Sequence, residues 1–410
     1  MTLRLLGALL LGVACKAHAP EPDIESRYLD DRVFRRAELE ASLVRPTNGY
    51  SRLRLARYAS GNSQDWERLP IANPRTTPVT VRELDDAHGV DPRRAIEPSA
   101  HSLQFDPAQV RRSKEALRQL GERAFFRYPA QLAGSSAPAL RSRSTAERYG
   151  FWIDDMRGVG GIVATETADG GSELAYTCAT CHASRQGSTL AIGRANDRLD
   201  LGRLMADLGG SQDTRSWGPG RVDVSTTSGN EPVRIADLRP VRYLTHLHHE
   251  ATVEKRNVVS LAIRIETLLI VGHHEARRPP REIALGLAVY LESLAPPLPA
   301  PPTADVERRG AALFATHCAR CHAPPAFTGR PVAIEAVGTD PMLGLSSDRG
   351  TGMVRVPSLL GVASRGALLH DASVRGIEPL FAPSRLTGHT FGAGLDTEQR
   401  ADLIAYVRSL

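Results

Sequence analysis

Two short motifs limit what this chain can fold into more than anything else in it: Cys178-Ala179-Thr180-Cys181-His182 and Cys318-Ala319-Arg320-Cys321-His322. Two thiols three residues apart lie on one side of a helical turn, and the adjacent imidazole swings beneath them. That spacing lets both thiols reach the vinyl groups of one haem while the histidine ligates its iron. With five cysteines and 13 histidines in 410 residues, one such motif is expected by chance only about 0.002 times. A redox dithiol does not need the trailing histidine, and a zinc site built from both pairs leaves both histidines unexplained. The expectation is two covalent c-type haems, with His182 and His322 as proximal ligands. The fifth cysteine, Cys15, stands near the N-terminus, so no thiol is left for a disulfide framework.

Residues 1–19 read as an export signal, with Arg4 ahead of an apolar stretch from Leu5 to Ala14 that is too short to span a bilayer. Two cleavage readings compete. Cys15 is a lipidation site in one, although Gly12 stands where such signals usually carry Leu; in the other, Ala17-His18-Ala19 is an ordinary cleavage site. Either way the mature chain is expected in the periplasm, soluble or tethered by lipid at Cys15, and a membrane enters only through that anchor. The formal net charge is +5, but no basic run is interleaved with aromatics, which argues against nucleic acid. The excess suits haem propionates and a solvated face, or a docking surface for an acidic redox partner.

The proline stretch at 296–302, preceded by Leu294-Ala295, reads as a semi-rigid linker. Ahead of it, Leu287-Ala288-Val289-Tyr290-Leu291 carries apolar positions at helical spacing; Leu403-Ile404-Ala405-Tyr406-Val407 repeats the pattern at the C-terminus. Gly121 and Phe125, then Gly310 and Phe314, sit four apart in two further helical stretches. This pattern resembles the class I cytochrome c fold, in which a helix with a Gly and an aromatic crosses a C-terminal helix with an aromatic. The expected fold is mostly α: two cytochrome c-like modules with long irregular loops, at 105–295 and 303–410. The segment 129–177 is expected as a long loop over one haem edge, and 20–104 as an irregular extension, with disorder as its alternative.

The second module, through Val356-Pro357-Ser358-Leu359-Leu360-Gly361, Leu369-His370-Asp371-Ala372 and Gly388-His389-Thr390-Phe391-Gly392, resembles the bacterial dihaem cytochrome c peroxidase and rubber oxygenase superfamily. The resemblance implies His389 as the distal ligand of the second haem; Met342, Met353 and His370 are the other candidates. For the first haem, His246-Leu247-His248-His249 and His273-His274 concentrate five histidines, and His248 is favoured as a ligand. Trp217 and Arg221, in a Gly-Pro-Gly turn, suit a haem edge, with the guanidinium toward a propionate. Two functions stay open: a periplasmic dihaem cytochrome serving a redox partner protein, or a dihaem peroxidase or oxygenase acting on peroxide or dioxygen at the first haem. The sequence shows no definite catalytic Glu for the second of these.

Overall fold

A computed structural model describes residues 23–85, 103–133, 136, 139–209, 214–223 and 231–410. The expected export signal lies outside the described residues, as does part of the extension. About 43% of the chain is helical, with only small sheets.

Two helix crossings of the same design organise the molecule. Helix Lys114–Arg127 packs on helix Arg281–Ser293, and helix Asp305–His317 on helix Thr397–Ser409. In the first crossing a methyl group on Gly121 would collide with the carbonyl oxygen of Gly286 and the Cβ of Tyr290. In the second, one on Gly310 would collide with the carbonyl oxygen of Asp402 and the Cβ of Tyr406. Only glycine lets the backbones approach this closely. The aromatic partners repeat as well: Phe125 meets Tyr290 at 5.7 Å between ring centres, and Phe314 meets Tyr406 at 5.4 Å.

The coverings differ. Around the first crossing, the extension expected to be irregular forms three short helices, Ile24–Asp30, Arg32–Ser42 and Gly49–Arg57. Each begins at a side-chain cap that the composition alone did not reveal: Asp23 accepts from the amide of Ser26, Asp31 from that of Phe34, and Asn48 from that of Ser51. They pack on the apolar helix Val258–Gly272, where the Glu266 carboxylate accepts from the hydroxyls of Tyr28 and Tyr58 at 2.9 and 2.7 Å. Tyr28, Leu39, Tyr50, Tyr58 and Trp66 are buried in one core with Phe125 and Tyr290.

The segment 129–177 is not a long loop. It supplies three strands of a four-stranded antiparallel sheet in the order Thr76–Pro78, Ile162–Glu166, Ser172–Tyr176, Gln131–Leu132. The run Ile162-Val163-Ala164-Thr165, β-branched at all but Ala164, is buried along its length and suits a sheet, a signal masked by the many glycines around it. The proline stretch carries no regular structure between helices Arg281–Ser293 and Asp305–His317, and Tyr243 donates to the Pro296 carbonyl at 3.0 Å. Beyond it a separate core forms from Phe314, Phe327, Leu360, Leu368, Ile377, Leu403 and their neighbours.

Candidate functional site

The first Cys-x-x-Cys-His motif forms a single helical turn, Cys178–His182, at the end of strand Ser172–Tyr176. The sheet holds it from one side. Thr177 and Thr180 both donate to the Gly161 carbonyl, at 2.7 and 3.1 Å, and the Trp152 indole donates to the Ala179 carbonyl at 2.9 Å. Gly161, at φ 62°, presses against the backbone of Ala179 and Thr180, so a side chain there has no room. The inserted segment therefore fixes the motif from behind.

His182 and His322 are oriented in the same way. The Nδ1–H of His182 donates to the Ala236 carbonyl at 2.9 Å. That of His322 is shared between the carbonyls of Phe327 and Pro357, at 3.2 and 3.1 Å. Placing the proton on Nδ1 leaves the Nε2 lone pair of each ring as a metal donor, the usual outer support of a ligating histidine. Burial pushes both imidazoles down to about 4, so each is neutral and ready to donate. Burial also raises the thiols, Cys178 and Cys181 to about 12 and Cys318 to about 11.

The second motif opens on a cavity of about 520 Å³. Cys318, Cys321 and His322 line one side, and His389 stands opposite with its ring centre 6.3 Å from that of His322. Two metal–imidazole bonds of about 2 Å, extended to each ring centre, span about 6 Å. The donor set therefore fits one iron between the two rings, and the apolar walls, Phe314, Leu359, Leu368, Ile377 and Phe381 among them, suit a flat macrocycle. The Nδ1 of His389 is buried without a hydrogen-bond partner among the described residues. His370 also borders the cavity. Met342 and Met353 are not among its lining residues: Met342 is largely exposed, and Met353 sits in the strand pair Val332–Ala333 with Met353–Val354.

His248 lies in a different setting. Its Nε2 accepts a hydrogen bond from Arg264, its Nδ1 is buried without a partner, and its ring meets Tyr50 edge-on at 5.0 Å. Ligation through Nε2 would require release of Arg264. The Arg54 guanidinium lies 3.3 Å from the Tyr50 ring centre, and Glu250 is buried beside this group, its carboxyl raised by burial. Charge from Arg264 acts on both Cys178 and His182, which puts the cluster on the side of the first motif. Both histidines proposed from the sequence as distal groups, His248 and His389, hold left-handed backbone angles, φ 63° and 54°. Such angles cost a non-glycine residue about 1–3 kcal/mol and gather at functional sites.

Trp217 is buried, and Arg221 donates to the carbonyls of Trp217 and Pro232 at 3.2 and 3.1 Å. Its strand, Arg221–Val222, pairs with Val233–Arg234, and the Arg234 amide donates to the His370 carbonyl beyond the proline stretch at 2.8 Å. Sequence reasoning missed Arg234, Arg355 and Arg365, which line the second cavity, and Tyr50, Arg54 and Arg264; His249, grouped with the first haem in the sequence, also lines the second cavity. A signal existed for two of these: Arg264 interrupts the apolar run Ile263-Arg264-Ile265, and Arg355 interrupts Val354-Arg355-Val356.

A family model described as cytochrome c matches residues 307–410. No curated protein matches the chain. Among solved structures, hydrazine synthase from Kuenenia stuttgartiensis, studied under xenon pressure, is similar at 15% identity, with 83% of this chain and 95% of that chain covered and a TM-score of 0.39. A MauG-like protein associated with microbial copper homeostasis is similar at 15% identity, with 47% of this chain and 79% of that chain covered and a TM-score of 0.30. Likenesses this distant carry no information about the activity of this chain. Residues 307–410 carry a cytochrome c domain, which implies a covalent haem c with its iron and haem-based electron transfer. No helix among the described residues is long and apolar enough to cross a membrane.

Proposed function

We propose that this chain is an exported dihaem cytochrome c that passes single electrons through two haems, one on Cys178, Cys181 and His182 and one on Cys318, Cys321 and His322. The observation that carries the reading is the repeated support of the two motifs. The second motif directly follows a helix of one Gly–Tyr crossing and the first packs against a helix of the other, and each histidine gives its Nδ1 proton to backbone carbonyls, which leaves Nε2 to ligate a metal. We assign the modules to 105–295 and 303–410, joined at 296–302. Each haem, when bound, supplies a reversible one-electron change at its iron.

The protein's own part is to hold, orient and enclose. The cysteines anchor the ring edges, and the carbonyls of Ala236, Phe327 and Pro357 fix the proximal imidazoles. His389, its ring centre 6.3 Å from that of His322, would give a second imidazole to an iron held at the second motif, and a haem so held would supply electron relay. Trp217, buried against Gly202, is our candidate for the path between the centres. The partner is a periplasmic redox protein, with nucleic acid excluded and membrane contact limited to a lipid on Cys15.

The pyridine haemochrome assay tests the count. Two haems per chain are expected, and one after Cys178→Ala with Cys181→Ala or after Cys318→Ala with Cys321→Ala. A parent value of one sinks the dihaem reading. His389→Ala should change the spectrum of the second haem alone; an unchanged spectrum refutes that ligand.

A second reading is favoured by the group Tyr50, His248 and Arg264. A neutral imidazole held by a guanidinium is equipped to move a proton and to polarise a bound oxygen species. In this reading a haem held at Cys178, Cys181 and His182 would supply the chemistry of peroxide reduction or dioxygen activation, with Tyr50, His248 and Arg264 as its neighbouring proton and hydrogen-bond groups, and a haem at the second motif would supply electrons. Carbon monoxide separates the two. A Soret change equal to one haem in the reduced protein favours the enzyme, and none favours the relay.

A further inference from the structure

The cavity at Cys318, Cys321 and His322 is walled by three arginines with little anionic company. Arg234 and Arg365 are buried, at 6% and 7% exposure, and Arg355 keeps accessible surface while lining the cavity. Arg234 donates to the carbonyls of Leu369 and Ile235, at 2.9 and 3.3 Å, and Arg355 to that of His248 at 3.0 Å. Arg365 donates to the Leu360 carbonyl at 2.8 Å and lies 3.4 Å from the Asp237 carboxylate, which Arg239 also engages. Among the described residues neither Arg234 nor Arg355 makes an ion pair. Burial, reinforced by the other arginines, lowers Arg234 and Arg355 each to about 10.

Uncompensated buried charge is strongly unfavourable, and repulsion between neighbouring cations adds to it. An anion with several acceptor oxygens, seated in the cavity itself, removes both penalties. A haem attached at Cys318 and Cys321 brings two carboxylates into this space. We propose that Arg234 and Arg355, with Arg365 beside them, bind the propionates of that haem, so that the second haem site is completed from both halves of the chain. Arg234 lies outside the matched cytochrome c segment and reaches the cavity because its amide donates to the His370 carbonyl at 2.8 Å. The guanidinium fork suits bidentate carboxylate binding.

This rests on the haem assignment above, and the experiment separates the two. Arg234→Gln and Arg355→Gln are made in the full-length, haem-loaded chain. Haem content is measured first, because thioether attachment is independent of these arginines. Potentiometric titration should then show one midpoint moved to a lower potential in each variant and the other unchanged, since lost positive charge disfavours the reduced iron. The propionate-bending bands in resonance Raman spectra should shift, and Arg234→Lys should recover part of the midpoint. If Arg234→Gln does not fold, Arg355→Gln and Arg234→Lys supply the same readings. Unchanged midpoints and bands at full haem content overturn the proposal and leave the dihaem reading standing. A parent chain with no haem on Cys318 and Cys321 overturns both.

Discussion

The two helix crossings share a glycine, a tyrosine and a phenylalanine in matching places, yet one is deeply covered and the other is lean. Around Gly121 and Tyr290 the chain adds three N-terminal helices, the buried helix Val258–Gly272 and a four-stranded sheet. Around Gly310 and Tyr406 it adds little beyond short turns and a cavity. The common part places a Cys-x-x-Cys-His turn. The added part decides what surrounds it: apolar walls and a facing imidazole at the second motif, a buried group of arginines, tyrosine and histidine near the first. One crossing design thus serves two different environments.

The largest effect should come from the crossings themselves. Gly121→Ala and Gly310→Ala each force a methyl group into a backbone carbonyl, and each should cost about 3 kcal/mol or more because backbone cannot yield as a side chain can. Guanidinium denaturation of the two holoproteins measures this. If Gly121→Ala is tolerated and Gly310→Ala is not, the crossings are not equivalent and the internal repeat fails.

Next comes a pH dependence to which the covered region contributes through His273. His273 is buried at the end of helix Val258–Gly272, with its ring nitrogens engaged by the Pro129 carbonyl at 2.7 Å and by Arg277 at 3.0 Å. Burial lowers it from 6.5 to about 4. Its folded value lies below its unfolded one, so the unfolded chain binds the extra proton in that window. The associated stability is present above pH 6.5 and is lost progressively as pH falls to 4, on the order of 3 kcal/mol. Thermal unfolding across this range should flatten in His273→Gln relative to the parent. A parallel decline in both proteins removes His273 as the cause.

A smaller effect should separate the motifs. Trp152→Phe removes the indole bond to the Ala179 carbonyl and leaves a buried acceptor unmatched, costing about 1–2 kcal/mol. The loss should appear in denaturation and broaden the spectrum of the first haem while the second is untouched. A change in the second haem alone would show that the sheet does not brace the first motif.

Much of the scaffold was legible because its determinants are local. The pairs Gly121/Phe125 and Gly310/Phe314 and the stripes around Tyr290 and Tyr406 follow the 3.6-residue period, and all four stretches are helices. His389 was legible only through family resemblance, since nothing local to Gly388-His389 says that it faces His322. The sheet strands at 131–176 are short and set among glycines, and their pairing with Thr76–Pro78 spans many residues, so no window of sequence contains it. The same holds for Arg234, whose role depends on a contact with His370 in the other half. The N-terminal helices are short and charged; they owe their stability to burial against Glu266 rather than to propensity.

The seam where the halves meet has a kinetic consequence. Besides Arg234 and His370, the Gly366 amide donates to Asp197 at 2.9 Å, Arg239 donates to Ser364 at 2.9 Å, and the Tyr50 amide donates to the Asp348 carbonyl at 2.7 Å. Bonds so widely spread clamp the halves together, and the proline stretch then acts as a strut rather than a hinge. In the proposed dihaem protein an electron would tunnel across one fixed gap, so the internal transfer should follow a single exponential insensitive to solvent viscosity.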